Sequence, residues 1–250
     1  MLKYQQFKIT YVLPIYTQQE NLEAFHHLLN TYQKYSEDIK RAIHFIFVDD
    51  CSPVPVTIPK DVTLNYTLVK VQDDIPWNQG GARNLGVHLA KTSKLILTDL
   101  DHTFSEEGLK QLIRRPQPEH FYVFRRINEE GEEVVSHYNT FFCNKSLYFK
   151  SLGVDECFAG NYGFEDIFFV DIQRRLGTKF LKFKSHPVHH MEHKNSDNPQ
   201  HSLPRDMDIN RKFYEAKRRV LKDKNRDPFD AHSRLFLNFE WQIKEERIRL

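Results

Sequence analysis

Residues 78–104 read NQGGARNLGVHLAKTSKLILTDLDHTF. Gly80 and Gly81 give the backbone freedom at the mouth of a helix whose apolar side is Ala82, Leu85, Val87, Leu89 and Ala90, with Arg83 in its first turn. Leu95-Ile96-Leu97 is a compact apolar run that suits a strand buried on both faces of a parallel sheet. Asp99 and Asp101 then emerge together at the carboxyl end of that strand, the edge where open α/β sheets bind ligands. Two hard oxygen donors one residue apart can share Mg2+ or Mn2+ and leave positions open for phosphate oxygens. An Asp-x-Asp by itself also suits a solvated loop or a helix cap, so its surroundings decide its meaning.

Those surroundings repeat the pattern. Ile9–Leu13 reads as a first strand closed by Pro14, and residues 18–35 place Leu22, Phe25, Leu28, Leu29 and Tyr32 at helical spacing. A second strand, Ile43–Val48, ends on the acidic pair Asp49-Asp50. Prolines 53, 55 and 59 mark a loop, and Leu64–Val71 alternates as a third strand. Strands alternating with helices specify an α/β fold, and residues 1–104 form a Rossmann-like, nucleotide-binding half of the doubly wound type.

The following stretch, residues 105–195, has a different texture. A short helix is expected at Glu107–Arg114, strands at Phe121–Ile127, Glu133–His137 and Thr140–Cys143, and a helix capped by Ser146. Gly160 and Gly163 loosen a loop that delivers Glu165-Asp166 to a helix start, where carboxylates also complement the macrodipole. A strand at Thr178–Phe183 leads into SHPVHHMEH, residues 185–193, with four histidines in eight residues, a dense supply of imidazole donors. Residues 196–250 read as a C-terminal helical extension: a basic helix over 205–225, then a second over Ser233–Arg247 with Leu235, Phe236, Phe239, Trp241 and Ile243.

Composition narrows the function classes. Thirty-six basic against thirty-four acidic residues leave a net charge of +2, which gives no bulk attraction for nucleic acid. Three scattered cysteines without a CxxC pair indicate neither a disulfide framework nor a thiolate zinc site. With no signal-like N-terminus and no apolar run of membrane-spanning length, a cytoplasmic protein is expected. The basic face of the 205–225 helix is a solvated surface or a contact for an anionic membrane or lipid-linked acceptor.

Five pieces in order, Val12-Leu-Pro-Ile-Tyr16, Val48-Asp-Asp-Cys-Ser52, Gly81-Ala-Arg-Asn-Leu-Gly86, Asp99-Leu-Asp101, and Tyr162-Gly-Phe-Glu-Asp166 with a histidine about 25 residues later, resemble the family-2-like glycosyltransferases of the GT-A fold. The resemblance covers roughly residues 9–193 and implies transfer of a sugar from a nucleotide-diphosphate sugar, UDP-sugar favoured, to a glycan or lipid-linked hydroxyl, with inversion and with Mn2+ or Mg2+. It implies donor contacts at Pro14, Tyr16, Asp49, Asp50, Gly81, Arg83 and Asp99, and metal contacts at Asp99, Asp101 and one of His190 and His193. Asp166 would be the general base and Glu165 would orient the acceptor. Two departures stand out: Cys51 replaces the usual glycine after Asp-Asp, and Asn161-Tyr-Gly-Phe164 stands where a small-aromatic pattern commonly precedes Glu-Asp; His102 beside Asp101 has no assigned role.

Two rivals remain open in the sequence. LILTDLDHTF, residues 95–104, also resembles the first motif of haloacid-dehalogenase-type phosphatases, with Asp99 as nucleophile and Asp101 as acid/base. His102 in place of the glycine, three preceding strands and the want of a downstream Lys–Asp pair count against it. A non-catalytic nucleotide-sugar binding module is the other, and the presence of Asp166 argues against that one.

Overall fold

A computed structural model describes residues 4–191 and 201–249. The apolar runs become β1 (Ile9–Ile15), β2 (Ile43–Asp49), β3 (Tyr66–Val71) and β4 (Lys94–Leu97). They lie parallel in the spatial order β3-β2-β1-β4, with Tyr11 opposite both Phe45 and Ile96. Every residue of β1 and β2 is buried, which is why these strands carry no polar alternation. Helices α1 (Glu23–Gln33) and α2 (Glu37–Ala42) follow β1, and α3 (Gln79–Leu89) follows β3.

Beyond β4 come β5 (His102–Phe104), α4 (Glu106–Arg114), β6 (Phe121–Ile127), β7 (Glu133–Val134), β8 (Phe141–Asn144), α5 (Lys145–Phe149), α6 (Glu165–Arg175), β9 (Phe180–His190), α7 (Asp208–Lys222) and β10 (Trp241–Arg247). The sheet continues β4-β8-β6-β9-β5, with β8 antiparallel to both β4 and β6. β6 therefore points the same way as β4, and their carboxyl ends share one edge. One core face is aromatic, with Tyr11, Phe25, Tyr32, Phe45, Phe47 and Phe104 fully buried. On the other face Gly86 lets α3 settle on β1, since a Cβ there would stand 2.3 Å from Val12 Cγ1.

Several expectations change. The helix expected over Ser233–Arg247 does not form: Arg234 and Leu237 adopt φ of 62° and 52°, and Trp241–Arg247 pairs antiparallel with β3 as an edge strand. Phe239 and Trp241 pack with Leu237 against the β2–β3–α3 core, so the C-terminal extension contributes one α-helix and one strand of the main sheet. Asn144, not Ser146, caps α5, its side chain accepting from Leu147 N at 2.7 Å. The expected strand Glu133–His137 shrinks to a two-residue β7, whereas β9 runs on through His190. His193 lies outside the described residues.

Candidate active site

At the carboxyl edge of the sheet the motif residues of four segments meet. β2 delivers Asp49 and Asp50, both buried. Asp49 Oδ1 accepts from Ser52 N at 2.8 Å and Oδ2 lies 3.7 Å from Lys70 Nζ, so Asp49 serves the turn. Asp50 Oδ1 accepts from Asn78 Nδ2 at 2.9 Å, and burial pushes its carboxyl up to about 7. Gly81 makes that contact possible, because a Cβ there would sit 2.3 Å from Asn78 Oδ1. Cys51 stands at φ 55°, in the left-handed region that a glycine would enter freely.

Above Asp50 is an aromatic wall. Trp77 lies 4.5 Å from Tyr162 and 5.0 Å from His201 between ring centres, and Tyr16 lies 5.8 Å from His201. Trp77 Nε1 donates to Pro204 O at 2.8 Å, which brings the chain after residue 200 back over the first strand end. Pro14 lies within buried β1.

α3 carries Arg83, buried, with one guanidinium nitrogen donating to Asn139 O at 2.7 Å and another paired with Asp99 Oδ1. Gln79 Nε2 donates to the same Asp99 oxygen at 2.7 Å. Arg83, Gln79, Tyr138 and Asn139 line one cleft with Glu165 and Asp166. Burial raises both of those carboxyls, and mutual repulsion with Asp166 adds to the rise that takes Glu165 to about 7. A larger groove of about 550 Å3, lined by Tyr4, Phe7, Lys8 and Lys94, borders the amino ends of β1 and β4 and holds none of the motif residues.

Asp101 meets a different set. β5 pairs antiparallel with β9, His102 opposite His190, and Met191 N donates to Asp101 O at 2.8 Å. That pairing brings His190 to Asp101 across 89 residues of chain, and one donor atom each from Asp101, His102 and His190 lies within 4.8 Å of the others. His102 Nδ1 approaches Asp101 Oδ1 to 2.6 Å, yet the angle makes no hydrogen bond: both atoms, and His102 Nε2, are buried without a hydrogen-bond partner. Burial works against the Asp101 carboxylate, but His102, His190 and Arg126 outweigh it and hold it below the usual range. Converging donors, those of Asp101 Oδ1 and His102 without a hydrogen-bond partner, fit a divalent ion, and one carboxylate with two imidazoles suits Mn2+ better than Mg2+. Asp99 is not among these three donors. His102 was not legible as a candidate, because its orientation follows from the β5–β9 pairing.

A mixed α/β sheet whose parallel strands end on acids, an arginine at a helix start and a candidate cation site on the same edge suit the binding of a nucleotide. The glycosyl transferase family 2 model matches residues 10–175, more than half of the chain, and the protein belongs to that family. It is an enzyme of the glycosyltransferase class with a GT-A fold. Staphylococcus aureus TarS residues 1–349 with UDP-GlcNAc is similar at 15% identity and a TM-score of 0.61, over 90% of this chain and 69% of that one. A Pyrobaculum calidifontis mannosyltransferase with GDP-Man and Mn2+ is similar at 12% identity and 0.51, over 91% and 68%. A Drosophila β1,4-galactosyltransferase 7 mutant with manganese, UDP-Gal and xylobiose is similar at 12% and 0.52, over 81% and 79%. A search of curated protein sequences gives no match.

Proposed function

We propose that the protein transfers a sugar from a nucleotide-diphosphate sugar to a hydroxyl of a glycan or lipid-linked acceptor, with inversion, in the building of a polysaccharide. The observation that carries this reading is the sharing of one sheet edge by Asp50, Arg83–Asp99, the Asp101–His102–His190 cluster and the Glu165–Asp166 pair. Asp50, beneath Trp77 and Tyr16, would read the nucleobase. One of its oxygens is held by Asn78, so the other matches the single imide N–H of uracil better than the paired donors of guanine. Pro14, Asp49 and Gly81 shape that pocket, and Arg83 and Asp99 would meet the diphosphate and ribose or sugar.

Asp101, His102 and His190 would hold the ion, which when bound neutralises charge on the departing diphosphate. His193 stays a further candidate. Burial and mutual repulsion favour a shared proton on the Glu165–Asp166 pair, which spares the cleft two adjacent negative charges, and Asp166 would be the group that takes the acceptor proton. A base on the side away from the leaving group gives in-line displacement and inversion.

The three cysteines are free, which suits the reducing cytoplasm. Among the described residues no helix is long and apolar enough to cross a membrane. α7 exposes Ile209 and Phe213 beside Lys212 and Arg219, a face suited to peripheral contact with an anionic lipid surface. Sedimentation with anionic but not neutral liposomes is the expected result.

Incubation with UDP- and GDP-sugars plus Mn2+ separates the readings. Release of UDP supports transfer. Release of phosphate from a monoester would favour the phosphatase reading, and tight binding without turnover the binding module.

A further inference from the structure

Arg126, at the carboxyl end of β6, is a buried cation that the reaction outlined above does not use. It is 6% exposed, its Nη1 donates to Val135 O at 3.0 Å, and its Nη2 lies 2.9 Å from His190 Nδ1. Nε is buried without a partner among the described residues. Burial weakens the hold on its proton, while the charges of Asp101 and Asp99 strengthen it.

The bond to His190 has a chemical consequence. A guanidinium has no lone pair to offer, so His190 Nδ1 accepts and the proton of the neutral ring sits on Nε2. In that tautomer neither ring nitrogen has a lone pair left for a cation. The Arg126–His190 hydrogen bond and coordination of a divalent ion by His190 therefore exclude one another.

We propose that Arg126 is a placeholder for the divalent ion: it holds His190 beside Asp101 until the ion displaces it, and its charge then turns to the diphosphate arriving on the same sheet edge. This rests on the reading of Asp101, His102 and His190 as the metal site. The anchor on Val135 keeps the guanidinium at the rim of the cluster after it releases His190. Arg126 opposes the ion by charge and by occupying a ligand, and supports the diphosphate by charge, so its removal drives the two affinities in opposite directions. A merely structural arginine would lower both.

The test is Mn2+ binding to the full chain by electron paramagnetic resonance, and UDP binding at saturating Mn2+ by calorimetry, for wild type, Arg126→Gln and Arg126→Lys. Arg126→Gln is expected to bind Mn2+ about tenfold tighter without nucleotide and UDP about tenfold weaker, with Arg126→Lys restoring UDP affinity. Unchanged or weaker Mn2+ binding in a folded Arg126→Gln protein overturns the proposal. Wild-type protein labelled with 15N-histidine gives a readout independent of any variant. His190 should show a protonated Nε2 without metal and keep that proton on adding Zn2+ while the Nδ1 resonance shifts on coordination, and an Nδ1-protonated ring without metal overturns the proposal. Asp101→Asn separates the two claims: if wild type binds no Mn2+, or Asp101→Asn binds it equally well, the metal-site reading fails and this inference with it. If only Arg126→Gln behaves contrary to expectation, the site stands and the placeholder falls.

Discussion

Single residues decide both the chemistry and its cost. Asp166→Asn keeps the shape of the cleft and removes the base, so kcat should fall about 100- to 10,000-fold while UDP affinity changes little, a split that steady-state kinetics with calorimetry reads directly. Asp50 illustrates the cost. Its folded carboxyl keeps a proton to about pH 7, whereas an unfolded one releases it near pH 4. Between those values the folded state binds the extra proton, so stability falls as pH rises through the window. Asp50→Asn should raise stability by about 1–3 kcal/mol at pH 8, with the gain vanishing below about pH 4, and should weaken UDP binding. Thermal melts across pH check the first part and titration with UDP the second. At this scale the sequence shows residue types well: Asp-x-Asp and Glu-Asp are visible as chemistry. It does not show that Asp99 is taken up by Arg83 and Gln79 while His102 turns toward Asp101, because those partners come from other elements.

Among the elements, the parallel strands and α3 were legible because burial on both faces leaves uninterrupted apolar runs, and because a glycine-marked helix start has its own signature. β10 was not, since an edge strand takes half its definition from the edge it joins. Apolar residues at 235, 236, 239, 241 and 243 satisfy helical spacing until the exposed edge of β3 is known. What fastens this last segment is Asp155, whose side chain is fully buried. Its Oδ2 accepts from Lys217 Nζ at 2.8 Å and from Ser233 N at 3.0 Å, and Ser233 Oγ donates to Oδ1. Burial opposes the charge, yet His232, Lys217 and Ser233 overcome it and hold the carboxyl at about 2. The contribution is complete above the unfolded value near 4 and is lost as pH falls through about 2. Asp155→Asn should cost about 2–4 kcal/mol at neutral pH and release residues 231–247 first, seen as early hydrogen exchange in β10 while β1 and β2 stay protected.

The whole molecule is a device for bringing distant residues to one sheet edge. Asp50, Arg83, Asp101, Asp166 and His190 span 140 residues of chain, and the shared direction of β1, β2, β4 and β6 turns their carboxyl ends to one edge. That edge was foreseeable from strand ends that kept closing on acids. Which histidine joins Asp101 was not, because the choice between 189 and 190 depends on a single-residue register in β5–β9: His189, opposite Thr103, is exposed, while His190 reaches the cluster. The central claim is that a divalent ion sits on this edge with a diphosphate across it. Anomalous scattering from a crystal grown with Mn2+ and UDP tests it most directly. The predicted result is a manganese peak about 2–2.4 Å from a carboxylate oxygen of Asp101 and from an imidazole nitrogen of His190, next to the diphosphate. UDP bound on this edge with no manganese between it and Asp101, or manganese held elsewhere, would contradict it.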